Sequence, residues 1–192
     1  MTDHIQNFRR RTVLTGAART LSVAGLVAVF GSTIPRKAWA AGNPSQDAQL
    51  LNAAIALEDE GIAAYQIAAE SKLLTPEVLK IGITFQGHHK QHRDDLVSAV
   101  KRLGGQPATA KTLDAYATDL GAASLKDQAG VLRLALKLER GAANAYLGLI
   151  PSLDATEFHT LAARMAGDET FHAAILGNAL GEAIPQKALM FG

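Results

Sequence analysis

The sequence predicts an all-α protein: a four-helix bundle of two antiparallel helix pairs joined by a long crossover. Three observations lead there. Ala and Leu dominate a chain of 192 residues that is 48% hydrophobic and 5% aromatic, while Val, Ile and Thr form few alternating runs, which is a helical bias. Four long stretches carry apolar residues at helical spacing. The breaks between them run short, long, short, and short turns join antiparallel neighbours while one long connection brings the second pair back beside the first. The chain has no cysteine. Disulfides, thiolate zinc sites, iron–sulfur clusters and cysteine nucleophiles are therefore excluded.

The first forty residues read as a segment apart from this fold. Arg9-Arg10-Arg11-Thr12-Val13-Leu14 is a basic start, a modest apolar run follows from Leu21 to Ile34, and Ala38-Trp39-Ala40 is a small-x-small cleavage signal. The apolar run is short of the roughly 20 residues that a membrane span needs. Arg10-Arg11-x-Val-Leu resembles a twin-arginine export signal, which implies the twin-arginine export machinery as a partner and the periplasm or cell envelope as the destination. A Sec signal with an extra Arg, or an uncleaved amphipathic anchor, stays open. Cleavage after Ala40 would leave one domain, residues 41–192. The signal holds six Lys and Arg and one acid, so the remainder carries 13 basic and 17 acidic residues, a net charge of −4. No basic patch survives to suggest nucleic-acid binding.

The first helix is expected from Asp47 to about Lys72, with Leu51, Ala54, Ile55, Ile62, Tyr65 and Ala69 on the face of Glu58. Thr75-Pro76-Glu77 starts a second, Thr75 as N-cap and Pro76 at the first helical position, which runs to Leu103 and stops at Gly104-Gly105. Residues 106–124 lack a sustained period and hold at most a short helix around Leu113–Leu120. Ser124 is the candidate N-cap of the third long helix, which runs to about Leu149 before Pro151. Asp154-Ala155-Thr156-Glu157 is a capping-box pattern for the fourth, ending near Gly181. The tail, residues 186–192, is expected to pack loosely.

The two halves echo one another. Glu58 and Glu139 stand 81 apart, as do Tyr65 and Tyr146. In the second helix of each pair the offset is 80: Glu77 with Glu157, Gly87 with Gly167, His89 with Glu169, His92 with His172. Glu58 and Glu139 each sit within an apolar stripe, where a lone carboxylate would cost several kcal/mol or stay protonated. Two of them in phase with histidines are better explained by a cation. A protonated Glu bonded to a Tyr or His is the bland alternative. Glu169-x-x-His172 and His89-x-x-His92 put their side chains on one helix face, at a spacing that can share a metal. His88 shares a face with His92 too, but the apolar positions of its helix centre closer to His89. His88 then matches Asp168, beside the ligands or at the surface. His159 reads as a solvated histidine, and Tyr65 and Tyr146 as residues that hydrogen-bond around the site.

These spacings resemble the ferritin-like superfamily, most closely the small exported bacterial proteins with a ferritin-like domain, over about residues 46–181. The resemblance implies a carboxylate bundle in which Glu58, His89, His92, Glu139, Glu169 and His172 hold one or two metal ions, iron first, with zinc, manganese and copper open. It implies oxygen, peroxide or iron redox chemistry, or metal binding without turnover, or a structural or stress-related bundle with a partly degenerate site. Ferritin-type cages share this fold, so a homo-oligomer stays open although the sequence carries no separate signal for cage contacts. The departure is His89, where members with a complete site have a bridging Glu. The ligand charge then falls from −4 to −3, and the nitrogen-rich set shifts preference toward zinc, copper or a single iron.

Overall fold

The computed structural model describes residues 44–191. The expected signal, its cleavage site and Trp39 lie outside the described residues. Within them the chain is helical, with no strand. The long helices are α1 (Pro44–Glu70), α2 (Pro76–Arg102), α4 (Gln128–Leu149) and α5 (Thr156–Ala179), and the crossover between α2 and α4 contains the short α3 (Leu113–Asp119). Helix α1 packs along α2 and α4 along α5, each pair joined by a short connection, while α1 also meets α4 and α3. The expected bundle of two helix pairs is therefore what forms. No described helix is long and apolar enough to cross a membrane.

The helix ends show where local reading holds and where tertiary contacts override it. Helix α1 begins three residues before Asp47 and ends at Glu70. Helix α2 has Pro76 in its first turn, with Thr75 extended at the N-cap (φ −67°, ψ 157°), but the threonine side chain caps nothing. Instead the Thr75 N–H donates to Gln128 Oε1 at 2.8 Å, tying the start of α2 to the start of α4. The far end of α2 stops as expected: Gly104 takes φ +73°, a left-handed conformation that glycine adopts without strain.

Two expected caps are corrected. Ser124 does not start α4; its hydroxyl donates to the Gly121 carbonyl at 2.7 Å and closes a 3₁₀ turn over Ala122–Ser124. Asp127 is the N-cap, accepting from the Gly130 N–H at 2.7 Å. The Asp154–Glu157 capping box does not form either, since Ala155 occupies the N-cap of α5 and has no side chain to offer. A carboxylate from α1 serves the turn in its place. Asp47 Oδ1 accepts from the Asp154 N–H at 2.8 Å and Oδ2 from the Ala155 N–H at 3.0 Å. One carboxylate from α1 thus satisfies two successive amides of the turn.

The core falls into two apolar clusters. One gathers Leu51, Ile55, Leu96, Val100, Tyr146 and Phe158; the other gathers Tyr65, Phe85, Leu132, Leu136, Ala173 and Leu176. Polar residues of all four long helices are buried with them. Glu58, Glu139, Glu169 and His172 are at most 1% exposed. The last residues, 182–190, lie on the surface, and Phe191 packs partly on the second cluster.

Candidate metal centre

Each of the four long helices contributes to the polar layer from its middle, and all six residues expected to meet there do so. They form two groups of four in which the ligand atoms lie within 4.8 Å of one another: Glu58, His89, His92 and Glu169, and His89, Glu139, Glu169 and His172. Two residues belong to both groups. Glu169 spans them with its two oxygens, Oε1 lying 3.0 Å from His92 Nδ1 and Oε2 3.2 Å from His172 Nδ1. His89 spans them with its two nitrogens, Nδ1 at 2.7 Å from Glu58 Oε2 and Nε2 at 3.4 Å from Glu139 Oε1. The imidazole thus occupies the place between the groups that the sequence assigns to a bridging residue, facing opposite ways rather than both oxygens' way.

The terminal histidines are held from behind. His92 turns Nδ1 inward and its Nε2 lies 3.1 Å from Asp168 Oδ2. His172 likewise turns Nδ1 inward, with Nε2 2.9 Å from His88 Nδ1. An outer partner on the second nitrogen fixes ring orientation and tautomer, a recurrent arrangement around metal-binding imidazoles. His88 and Asp168 are the matched pair of the repeat, and each serves the histidine of the opposite half. The tyrosines cross over in the same way: Tyr65 donates to Glu139 and Tyr146 to Glu58. His159 is only half-buried and bonds the Leu153 carbonyl at 2.8 Å, away from the site.

Sequence reasoning missed Gly61. A Cβ built there would come within 3.1 Å of both Nδ1 and Cε1 of the His89 ring. The imidazole lies directly against the backbone of α1, in room that any side chain would fill. A lone glycine inside an apolar helical pattern is the signal that could have pointed to such an approach.

The protonation pattern follows from this packing. Burial works against a charge on His89, but the carboxylates of Glu139, Glu58 and Glu169 outweigh it and raise its pKa well above the ordinary value. For His92 burial is likewise outweighed, by Glu169 and Glu58, and the pKa rises to about 10. His172 is raised by Glu139 and Glu169 against the same burial. Glu139, though buried, is held well below the carboxylate range by His172 and His89, whereas burial dominates at Glu169 and raises it. Burial and the neighbouring His172 lower His88, which suits a neutral ring accepting from the His172 Nε2–H.

Without a metal, then, three acidic side chains face three imidazoles and favour their protonated form. The layer is closed: among the described residues the one buried side-chain polar atom without a partner is Arg140 Nε, which is not among the six. The donor set also fits a divalent cation in either group, with two carboxylate and two imidazole ligands each and fixed rings.

A family described as ferritin-like domain matches residues 46–182. The chain belongs to it. Of solved structures, a conserved hypothetical protein from Mycobacterium tuberculosis is similar at 20% identity and a TM-score of 0.61, covering 76% of this chain and 97% of its own. That likeness shows a shared fold and nothing more. No curated protein matches the chain.

Proposed function

We propose that this ferritin-like protein is an exported metal-binding protein, with a dinuclear or closely related carboxylate–histidine centre used in oxygen, peroxide or iron redox chemistry. The observation that carries the reading is the pair of overlapping donor groups sharing Glu169 and His89. Glu58 and His92 would serve one ion and Glu139 and His172 the other. When bound, iron at such a centre supplies one-electron chemistry toward oxygen or peroxide. The chain's own part is to orient and to balance charge. Asp168 and His88 hold the rings, Tyr65 and Tyr146 hold the terminal carboxylates, and all six donor side chains are buried. Because the carboxylates favour protonated imidazoles in the metal-free state, an ion that enters competes with protons for the ring nitrogens.

Export rests on Arg10-Arg11, the apolar run and Ala38-Trp39-Ala40. A twin-arginine route, which carries folded proteins, would let the site load before translocation. Full-length protein expressed with its own signal and purified without chelator should contain near-stoichiometric metal, read by elemental analysis with an absorption spectrum, and should fractionate with the envelope. Absence of metal together with no metal-dependent gain in Tm would defeat the metal reading; a cytoplasmic product of full length would defeat the export reading alone.

The closed hydrogen-bond layer favours one second reading, a bundle that uses the six residues for structure. It predicts a protein that folds fully and binds no metal tightly, and the same elemental analysis separates the two.

A further inference from the structure

One feature of the bundle serves neither the fold nor the metal layer. Between α1, α2 and α4, and roofed by the crossover, lies a cavity of about 560 Å³ with mostly apolar walls. Protein interiors tolerate few voids larger than a water molecule, so a mostly apolar recess of this size reaching in from the surface stands out. Ala64 on α1 and Ala135 on α4 line it with small side chains, together with Val78, Leu132 and Leu138. Its inner end is lined by Tyr65, His89 and Glu139, three members of the polar layer. Its lining also includes Lys111, Asp119 and Lys137, all exposed and so marking its mouth, and the half-buried Glu60. Lys111 Nζ is paired with Asp119 Oδ2 at 2.9 Å, both side chains being half exposed.

We propose that this cavity is a binding site for one uncharged, largely apolar small organic molecule, seated with its inner end against Tyr65, His89 and Glu139. The size falls within the range of small-molecule pockets, which are typically apolar with a few polar groups at one end. Charge decides the class of ligand. Two lysines and two acids cancel at the mouth, so an anionic head finds no net attraction there, and at the inner end Glu139 is paired with His89 and leaves no free charge to hold one. A cation finds no net attraction there either, since Glu60 and Asp119 line the same side as Lys111 and Lys137. Its volume suits a small molecule rather than a helix or a second copy of the chain. The site goes beyond the metal reading and stands without it, since its walls are made by the apolar seam.

The test uses full-length, chelator-treated protein and the uncharged fluorophore N-phenyl-1-naphthylamine. Saturable binding of one dye per chain is expected, displaced by dodecan-1-ol at a concentration about tenfold lower than by dodecanoate. Ala135→Trp and Ala64→Trp, from opposite walls and outside the donor set, should each weaken dye binding about tenfold or more while leaving the helical circular dichroism unchanged. No saturable binding, equal binding in every folded variant, or a preference for dodecanoate would each overturn the proposal. If one tryptophan variant does not fold, the other and the alcohol–acid comparison still decide. Dye binding without metal content, or metal content without dye binding, shows which of the two readings has failed.

Discussion

The two halves of the polar layer are built from one pattern and differ at three matched places. On the α4–α5 side stand Ala142, Asp168 and Glu169; on the α1–α2 side stand Gly61, His88 and His89, at the same offsets of 81 and 80 residues. The exchange of a carboxylate for an imidazole does not stand alone. The larger ring needs the room that Gly61 leaves, and a neutral His88 stands where the other half has a carboxylate. A site merely losing its ligands would show unpaired polar groups, and here the changed half is as closely satisfied as the other. His89 is a fitted part, carrying its own positive charge between Glu58 and Glu139 when no metal is present.

Removing a member common to neither residue set of the exchange gives the largest effect. Glu139→Ala strips partners from Tyr65, His89 and His172 together. Breaking a buried ionic cluster by one partner costs about 3–5 kcal/mol, so denaturant unfolding of the metal-free variant should show a loss of that order. An unchanged or improved stability would mean that the layer is not the neutralised network described above.

Gly61→Ala attacks the matched pair directly. The methyl group would press on the His89 ring, costing about 1–3 kcal/mol by overpacking, against a gain of about 1 kcal/mol in helix propensity. A net loss is expected in the wild type and a net gain in a His89→Glu background, where the ring is gone. A double-mutant cycle measures the difference; additive effects would show that glycine and histidine are not coupled.

His89→Glu makes the two halves alike. The fourth carboxylate should tighten ferrous iron binding about tenfold, near 1.4 kcal/mol, measured by competition with a chelator. The metal-free variant should at the same time be less stable, having lost its central cation. Tighter iron with undiminished metal-free stability would separate the two roles assigned to His89.

The smallest effect is in pH. His92 is raised from an ordinary 6.5 to about 10. A raised histidine contributes stability that is complete below its unfolded pKa and lost as pH climbs through the folded one. The Tm of metal-free protein should therefore fall between pH 7 and pH 10. The gain in Tm on adding metal should grow over the same range, because fewer protons must leave. Glu58 and Glu139, both lowered by their histidines, set the opposite limit and lose their contribution as pH falls below the carboxylate range.

What could be read from the sequence was whatever repeats along one helix. The stripe around Glu58, the i, i+3 spacing of Glu169 and His172 and the 80- and 81-residue offsets located the fold and brought six residues to one layer. Local chemistry also placed the end of α2 and the short α3. Contacts between elements were not legible. Nothing near Ser124 shows that its hydroxyl turns back to Gly121, and nothing near Ala155 shows that Asp47 covers its amide. The crossing of Tyr65 to Glu139 and Tyr146 to Glu58 needs the relative rotation of α1 and α4, which no single helix encodes. The cavity is the extreme case, since it is defined by what four segments leave unfilled.

Asp47 has one more consequence, for the order in which the chain assembles. Each helix pair closes through short-range contacts and can form on the timescale of a local hairpin. The bonds from Asp47 to Asp154 and Ala155 join residues 107 and 108 apart, so they form only when the two pairs have docked. Closing such a long loop is paid for in chain entropy before any contact rewards it. Docking of the pairs is then expected to lag behind helix formation, with Asp47 as a latch that shuts on the finished bundle, so Asp47→Ala should speed unfolding more than it slows folding.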